Sequence, residues 1–425
     1  MKNNKDLIKA YNFTPVLKDY EWGSLSGIQK IIGRADLKGK PLAELWMGSH
    51  KNGDGMVSVS SDKKVKLSEF IKTDSAAILG KSVNNKYNGE LPFLFKILAA
   101  EKPLSIQVHP SKKEAEKGFD NEEKEKIDIS AFNRTYKDRN HKPELIYALT
   151  DFYLLKGFRD YIFIYSNLKM FSPLFIKNAE KALKKQIDFI TIKELFSYLL
   201  SIDKNDLHEV IDQALDNCKK DNGIIVDTVN NFYSVYGYDP GVLAPFFLNI
   251  LKLKPGNALF IPAGELHSYI SGIGFEIMAN SDNVLRGGLT PKYIDANGLL
   301  EIGNFKNSFI KKGITLPKIE KNMEKYKTKA GEFVFSVISL DKGSYNHKKS
   351  RKNIELYFYI GKDCKVTFPQ DRGSHSVTRD AADMPQSSES NSFSFKNGDS
   401  FIIPACAFPY SIEGDGTLYM ATVNI

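Results

Sequence analysis

Hydrophobic and polar residues alternate over short stretches in much of this 425-residue chain, which predicts a mainly β protein. A clear example runs from residue 103 to residue 110, with apolar side chains at Leu104, Ile106 and Val108 and polar ones at Ser105, Gln107 and His109. Every second residue of a strand lies on one face, so the three polar side chains should point together. They are either the wet face of a half-buried strand, or they include two metal ligands, Gln107 and His109.

Local patterns predict further elements in the first 150 residues. Leu91–Ala99 is mostly apolar but carries Lys96, and from Phe93 onward it predicts a buried strand. The spacing of Leu67–Leu79 predicts a helix, and Lys112–Gly118 predicts a second helix that ends at its glycine.

The pattern changes to helical periodicity between residues 161 and 232. Predicted helices cover residues 175–186, 191–200 and 204–220, with N-cap signals at Thr191 and Asp203. Strands are expected again from Tyr233, and a last β-rich unit covers residues 333–425. Within that unit, residues 370–390 are polar and predict a mobile loop.

The length and composition favour two or three globular units in a reducing cytoplasm. A chain of 425 residues exceeds one hydrophobic core, and its 42% hydrophobic content is ordinary. Its three scattered cysteines argue against disulfides and against a thiolate zinc site. Neither a signal peptide nor a membrane span is expected. The net charge of +8 suits a nucleic acid or a small anionic substrate equally.

An internal repeat indicates two related β units. Five residues separate Gly256 from Pro262, and the same spacing separates Gly398 from Pro404. The first copy continues to His267 and resembles a signature motif of cupin barrels, whereas the second copy has no histidine. We therefore expect two cupin-type, jelly-roll-like β-barrels plus a helical domain. The catalytic domain would comprise residues 1–160 and 233–305, the helical insertion residues 161–232, and a metal-free barrel residues 306–425.

Glu144 is the carboxylate most in need of a partner. Pro143 favours extended backbone before it, so Glu144 should open an otherwise apolar strand, where a charge must be paired. A surface salt bridge is one solution and a metal ion is the other. Gln107, His109, Glu144 and His267 together would form a site with two nitrogen and two oxygen ligands. Such a ligand set suits zinc, and it does not firmly exclude iron or manganese.

Five blocks of sequence resemble the type I mannose-6-phosphate isomerases (phosphomannose isomerases), which are cupins. The blocks are Tyr20–Gly23, Ala43–Gly48, Lys102–Pro110, His141–Leu145 and Asn280–Lys292. They occur in the family's order and with family-like spacing between residues 20 and 295. Small departures are Lys51, where proline is common, and Ser271, where the cupin motif has asparagine.

The resemblance implies a function and a site. It implies interconversion of mannose 6-phosphate and fructose 6-phosphate through a cis-enediol intermediate, with one zinc held by Gln107, His109, Glu144 and His267. It also implies that Arg286 is the catalytic arginine. The general acid or base stays open among Glu276, Asp282, His141, Lys142 and a zinc-bound water. Candidate contacts to substrate and phosphate are Ser105, Lys96, Lys142 and Lys292.

The resemblance also bears on partners and on competing functions. We expect a small sugar phosphate rather than a nucleic acid or membrane, and a monomer, with a homodimer as the alternative. A cupin metal oxygenase is a second candidate, but Gln107 and Arg286 speak against it. A non-catalytic sugar-binding cupin is a third, and it would not need four ligands.

Overall fold

The fold is described by a computed structural model that covers residues 7–183, 192–306, 314–341, 343–347, 353–369 and 391–425. Short strands and helices form the first part of the chain: β1 (Tyr11–Thr14), β2 (Val16–Lys18), α1 (Gly27–Ile31), a 3-10 turn (Ala35–Leu37), β3 (Glu44–Met47), β4 (Ser49–His50), β5 (Gly53–Asp54), β6 (Met56–Ser58), β7 (Lys64–Lys66), α2 (Leu67–Thr73), α3 (Ser75–Leu79), α4 (Lys81–Lys86), β8 (Phe93–Ala100), β9 (Gln107–Val108), α5 (Lys112–Lys124), β10 (Glu144–Ala148) and β11 (Phe152–Phe158).

A helical region follows, and it is longer than the sequence pattern predicts. Its members are α6 (Tyr161–Phe171), α7 (Pro173–Leu183), α8 (Ile192–Ser201), α9 (Lys204–Cys218), α10 (Ile224–Tyr236), a 3-10 turn (Pro240–Leu243) and α11 (Ala244–Phe247). The prediction that strands return at Tyr233 was therefore wrong, because α10 continues past that residue and strands resume only at Leu248. Asp203 caps α9 as predicted, since its side chain accepts from the Asn205 N–H. Thr191 lies outside the described residues.

Strands dominate the remainder of the described chain. They are β12 (Leu248–Leu253), β13 (Ala258–Ile261), β14 (His267–Ala279), β15 (Leu285–Arg286), then α12 (Ala296–Ile302), β16 (Ile314–Thr315), β17 (Lys318–Glu320), β18 (Met323–Tyr326), β19 (Val334–Ser339), β20 (Tyr345–His347), β21 (Glu355–Thr367), β22 (Ser392–Lys396), β23 (Ser400–Ile403) and β24 (Tyr410–Thr422). Residues 370–390, the predicted loop, lie outside the described residues. No helix in the described ranges has both the length and the apolar character needed to cross a bilayer.

The described strands form two large antiparallel sheets, which confirms a mainly β fold with helices. Sheet 1 has the order β16-β13-β10-β14-β8-β3-β2. Beside this row, β9 and β11 pair with β14, β15 pairs with β9, and β12 pairs with β11. Sheet 2 has the order β17-β18-β19-β24-β21-β23-β1-β6-β7, with β20 and β22 attached to β24 and β21. Strands β1, β6 and β7 from the start of the chain thus complete the sheet that is otherwise built from its last third.

An aromatic core joins the two sheets. Phe95 and Phe275 of sheet 1 are buried in one cluster with Phe335, Phe358 and Tyr419 of sheet 2. The rings of Phe275 and Tyr419 stack with their centroids 4.2 Å apart. Because each sheet buries an apolar face against the other, the two sheets share one hydrophobic core on this side.

Two predicted strands agree with the structure. The apolar run after Phe93 forms β8, whose eight residues are all buried, and Glu144 opens β10. The helix predicted over Leu67–Leu79 is divided in two at Asp74, whose side chain accepts from the Ala77 N–H and so begins α3. A capping residue within an apolar pattern ends one helix and starts another.

The predicted end of α5 at Gly118 was wrong, because the helix continues to Lys124. Gly118 is required by packing instead, since a Cβ at this position would lie 2.4 Å from the ring of Tyr136. That ring has little freedom to retreat, because Glu122 accepts hydrogen bonds of 2.8 Å from the N–H groups of Thr135 and Tyr136.

The repeated Gly-x5-Pro frame lies at matching places in the two sheets. Gly256 and Gly398 both adopt a left-handed backbone, with φ of 89° and 84°, just before β13 and β23. In sheet 1, β13 pairs with β10, and in sheet 2, β23 pairs with β21. Both partner strands begin with a buried glutamate, Glu144 in β10 and Glu355 in β21.

Gly118→Ala should destabilise the protein although alanine is the better helix former. Helix propensity alone predicts a gain of about 0.8–1.0 kcal/mol, whereas crowding against Tyr136 costs about 1–3 kcal/mol. Urea unfolding measures the balance. Asn121→Ala, on the exposed side of the same helix, is the matched control and should not destabilise. A more stable Gly118→Ala variant would contradict the packing argument.

Candidate metal centre

Three buried side chains from separate strands converge in sheet 1. Glu144 begins β10, His267 begins β14 and His109 directly follows β9. Glu144 and His109 are 1% exposed and His267 is fully buried. The Glu144 carboxylate lies 3.2 Å from His109 Nε2 and 3.3 Å from His267 Nε2. All three thus offer ligand atoms within 4.8 Å of one another.

Backbone carbonyls fix the tautomer of both histidines. His109 Nδ1 lies 2.8 Å from the carbonyl oxygen of Asn283, and His267 Nδ1 lies 2.9 Å from that of Glu265. A carbonyl only accepts, so each Nδ1 donates and each Nε2 turns a lone pair toward Glu144. Partners of this kind orient the histidine ligands of metal ions.

The inner atoms of this group have no hydrogen-bond donor. His109 Nε2, His267 Nε2 and Glu144 Oε2 are buried without a hydrogen-bond partner among the described residues. Two imidazole lone pairs that face a carboxylate are three acceptors in contact, which is unfavourable without a positive charge between them. The residues therefore fit a metal cation.

Electrostatics keep the group in the form that binds a metal. Burial lowers the pKa of His109 to about 4, with the nearby charge of Lys142 acting in the same direction. Burial by itself would raise the pKa of Glu144, but the ammonium of Lys142, with Nζ 3.0 Å away, favours the ionised carboxylate and lowers the pKa below its usual range. Neutral imidazoles and an ionised carboxylate are the required ligand states.

Strand register aligns Gln107 and Arg286 with this group. Gln107 pairs directly with His267 on one side and with Arg286 on the other. Directly paired residues of antiparallel strands project to the same face, so all three side chains share the face that carries the His267 ring. Burial lowers the pKa of Arg286, which nevertheless stays protonated.

A second buried polar network lies beside the triad. Lys96 donates to Glu276 and, over 3.2 Å, to Glu44. Trp46 Nε1 donates to Glu44 over 2.8 Å, and the Tyr269 hydroxyl donates to Glu276 over 2.9 Å. Burial opposes the charge of Lys96, but Glu276 and Glu44 outweigh it and raise the Lys96 pKa. Lys96 and Glu276 thus hold each other in a network that occupies their charged atoms.

Asp282 belongs to a third cluster, nearer the surface. Its carboxylate lies 3.3 Å from His50 Nε2, 3.2 Å from Lys51 Nζ and 2.9 Å from Asn52 Nδ2. Burial opposes its ionisation, but His50 and Lys51 lower the pKa of Asp282 to about 2. Sequence reasoning did not single out His50, whose only signal was its position beside the Ala43–Gly48 block.

The other predicted site residues are distributed around the triad. His141 Nε2 lies 2.9 Å from Glu332, in the connection between β18 and β19 of sheet 2, whereas the adjacent Lys142 contacts Glu144. Ser105 is partly exposed in the turn before β9. Partial burial and the nearby charge of Arg286 lower the pKa of Lys292, which lies at the surface.

Sequence reasoning missed Asn283, which is fully buried. Its side-chain oxygen accepts from the Lys137 N–H over 2.7 Å, and its amide donates to the carbonyl oxygens of Asp138 and Asn140. Its own carbonyl orients His109. Asn283 thus ties the loop before β10 to the metal ligand, a role that only its place in the Asn280–Lys292 block could have suggested.

The fold and the site define a two-sheet β protein with a buried His-Glu-His metal centre. The family described as phosphomannose isomerase type I, catalytic domain, matches residues 11–161. The mannose-6-phosphate isomerase of Escherichia coli is 34% identical over 409 residues, which are 95% of this chain and 96% of that protein.

Solved structures agree with these matches. A crystal structure of a lysine-to-alanine mutant of phosphomannose isomerase from Salmonella typhimurium has a TM-score of 0.86 and 30% identity, over 98% of this chain and 100% of that one. The same coverage applies to the Salmonella typhimurium enzyme bound to substrate and zinc, with a TM-score of 0.84 and 31% identity. The chain belongs to the type I mannose-6-phosphate isomerase family, which confirms the resemblance found in the sequence.

Lys96→Met should cost about 3–5 kcal/mol of unfolding free energy, because it leaves the buried Glu276 and Glu44 without their cation. Chemical denaturation measures the loss. Lys72→Met, on the exposed side of α2, is the control and should change stability little. Adding Glu276→Gln to Lys96→Met should recover part of the stability, and an undiminished loss in the double variant would contradict the pairing.

Proposed function

We propose that this protein interconverts mannose 6-phosphate and fructose 6-phosphate at the His-Glu-His centre, with one zinc ion per chain. The observation that carries the proposal is the set of three buried acceptor atoms on His109, Glu144 and His267, for which the described part of the chain offers no hydrogen-bond donor. Zinc is the metal that relatives of known structure contain. Membership of the isomerase family supplies the reaction.

Gln107 is proposed as the fourth ligand. Its register with His267 directs its side chain to the ligand face, and its amide oxygen is an acceptor that can serve as a fourth ligand to a cation. Two histidines and one carboxylate suit zinc, which when bound supplies a Lewis acid that polarises substrate oxygens. A neutral amide leaves the centre with a net positive charge, which favours an anionic oxygen nearby.

Arg286 is proposed to stabilise the negative charge that develops when a proton leaves C2 of the open-chain sugar. Its alignment with Gln107 brings a permanent cation to the edge of the centre. The cis-enediol would then accept a proton at C1. A donor aimed at developing charge is typically worth about 2.7–4 kcal/mol.

Lys142 is the strongest acid/base candidate among the residues considered. Its ammonium touches Glu144 directly, so it stands at the centre itself. Glu276 is held by Lys96 and Tyr269, and Asp282 by His50 and Lys51. Proton transfer by a positioned group contributes about 10²–10⁴-fold to the rate.

The substrate phosphate is proposed to bind at the exposed side of Arg286. Lys292 lies near the guanidinium, and Ser105 precedes the ligand strand. Lys96 is a weaker candidate, because Glu276 and Glu44 already hold its ammonium.

The finer organisation is proposed on the same basis. Each sheet is taken as one cupin-type barrel. The helical insertion, expected over residues 161–232, extends to residue 247, and the metal-free unit, expected over residues 306–425, excludes β16, which pairs in sheet 1. The N-terminal strands of sheet 2 extend that second barrel. A monomer that binds a sugar phosphate in the cytoplasm, where the three free cysteines would stay reduced, completes the proposal.

His267→Ala should lose zinc and isomerase activity together, because it removes one of two imidazole ligands. The purified wild-type protein should contain about one zinc per chain, measured by plasma mass spectrometry. Chelation should abolish turnover in a coupled assay with mannose 6-phosphate, and added zinc should restore it. His208→Ala, in the helical region, is the control and should keep both. Full turnover by metal-free protein would disprove the proposal.

Arg286→Ala should keep its zinc while kcat falls by about 10²–10³-fold, since only a transition-state contact is removed. Arg286→Lys should recover part of the rate by restoring the charge. The coupled assay gives kcat, and metal analysis gives the zinc content. Arg34→Ala, on the surface, controls for the loss of an arginine. An unchanged kcat in Arg286→Ala would remove this residue from the reaction.

A further inference from the structure

Sheet 2 contains a polar cluster at the place that corresponds to the metal centre of sheet 1. Glu355 begins β21 as Glu144 begins β10, and it is 3% exposed. Glu144 pairs with Ile261, and Glu355 pairs with Ile403. Each isoleucine directly precedes the proline of the repeated frame, so the two glutamates hold equivalent positions.

The equivalence extends to the neighbouring strands. In sheet 1, Gln107 pairs with His267, the first residue of β14. In sheet 2, His347 pairs with Tyr410, the first residue of β24. By register, Tyr410 therefore takes the place of the metal-binding histidine and His347 that of the glutamine.

The second cluster satisfies its own carboxylate. The Tyr410 hydroxyl donates to Glu355 Oε2, and the Tyr357 hydroxyl donates to the same atom over 3.3 Å. His347 Nδ1 lies 3.6 Å from Glu355 Oε1 and 2.9 Å from the Tyr345 hydroxyl. Phenol donors occupy the place that a cation takes in sheet 1, so this cluster needs no metal for its neutralisation.

The cluster forms the floor of a cavity of about 600 Å³. Its lining includes the buried Glu355 and Tyr345, the partly buried His347, and Met420 and Thr422, and we call this buried side its base. Four lysines also line it, of which Lys318, Lys321 and Lys327 are exposed and Lys325 is partly buried, and we call this exposed side its mouth. Glu320 lines the same side and pairs with Lys318 over 2.9 Å, which leaves the side with a net positive charge. The volume lies within the range of about 300–1,000 Å³ that is usual for small-ligand sites.

We propose that this cavity is a second binding site, specific for a small phosphorylated sugar. A carboxylate with histidine and tyrosine neighbours accepts and donates hydrogen bonds to sugar hydroxyls. The lysines at the mouth attract a phosphate, whereas Glu355 repels it. The ligand is therefore oriented, with its hydroxyls at the base and its phosphate at the mouth. This site is separate from the proposed reaction centre and shares no residue with it.

Equilibrium dialysis with radiolabelled fructose 6-phosphate counts the molecules bound per chain. Lys321→Gln/Lys327→Gln changes two exposed lysines of the mouth and should bind one molecule per chain fewer than the wild type. Lys38→Gln/Lys40→Gln removes the same charge from an exposed turn and should bind as the wild type does. The wild type and both variants have the same reaction centre, so any molecule bound there contributes equally to each count and does not affect the difference between them.

Glu355→Gln separates a sugar phosphate from free phosphate. It should weaken fructose 6-phosphate binding at this site at least tenfold without weakening the binding of inorganic phosphate, which Glu355 repels. Equal counts in the wild type and in Lys321→Gln/Lys327→Gln would overturn the proposal. So would equal weakening of both ligands by Glu355→Gln, or a second zinc ion that this substitution removes.

Discussion

A carboxylate that is almost completely removed from water sets the conditions for the rest of the site. A buried ion costs several kcal/mol unless opposite charge and hydrogen bonds compensate it. Glu144 obtains opposite charge from Lys142, two residues earlier, whereas His109 and His267, which arrive on other strands, present acceptor atoms to it and thereby call for a cation among the three. Because all of these groups lie at strand ends, the compensation exists only when sheet 1 has its correct register.

Those parts of the site that depend on local pattern could be predicted from the sequence. Alternation around Gln107 and His109 predicts their common face, and Pro143 predicts the strand that Glu144 opens. The repeated glycine-proline frame identified His267 among seven histidines. In each of these cases the determining neighbours lie within a few residues along the chain.

Features that depend on distant neighbours could not be predicted in this way. Gly118 resembles a helix end, but a ring brought in from outside the helix requires it. Lys96 resembles a free cation until Glu276 and Glu44 are brought beside it by pairing between strands. In the sequence, Pro409 follows Gly398 at the same distance at which His267 follows Gly256. Strand register nevertheless shows that Tyr410, and not Pro409, holds the position equivalent to His267.

The pairing of β1 with β23 has a consequence for how the chain folds. Tyr11 lies opposite Ile402, so β1 is synthesised long before the strand that it pairs with here. Contacts between such distant segments slow folding, because a long loop must close before they form. During translation β1 has an open edge that can pair with other chains. We therefore expect a slow folding step in which β1 pairs with β23.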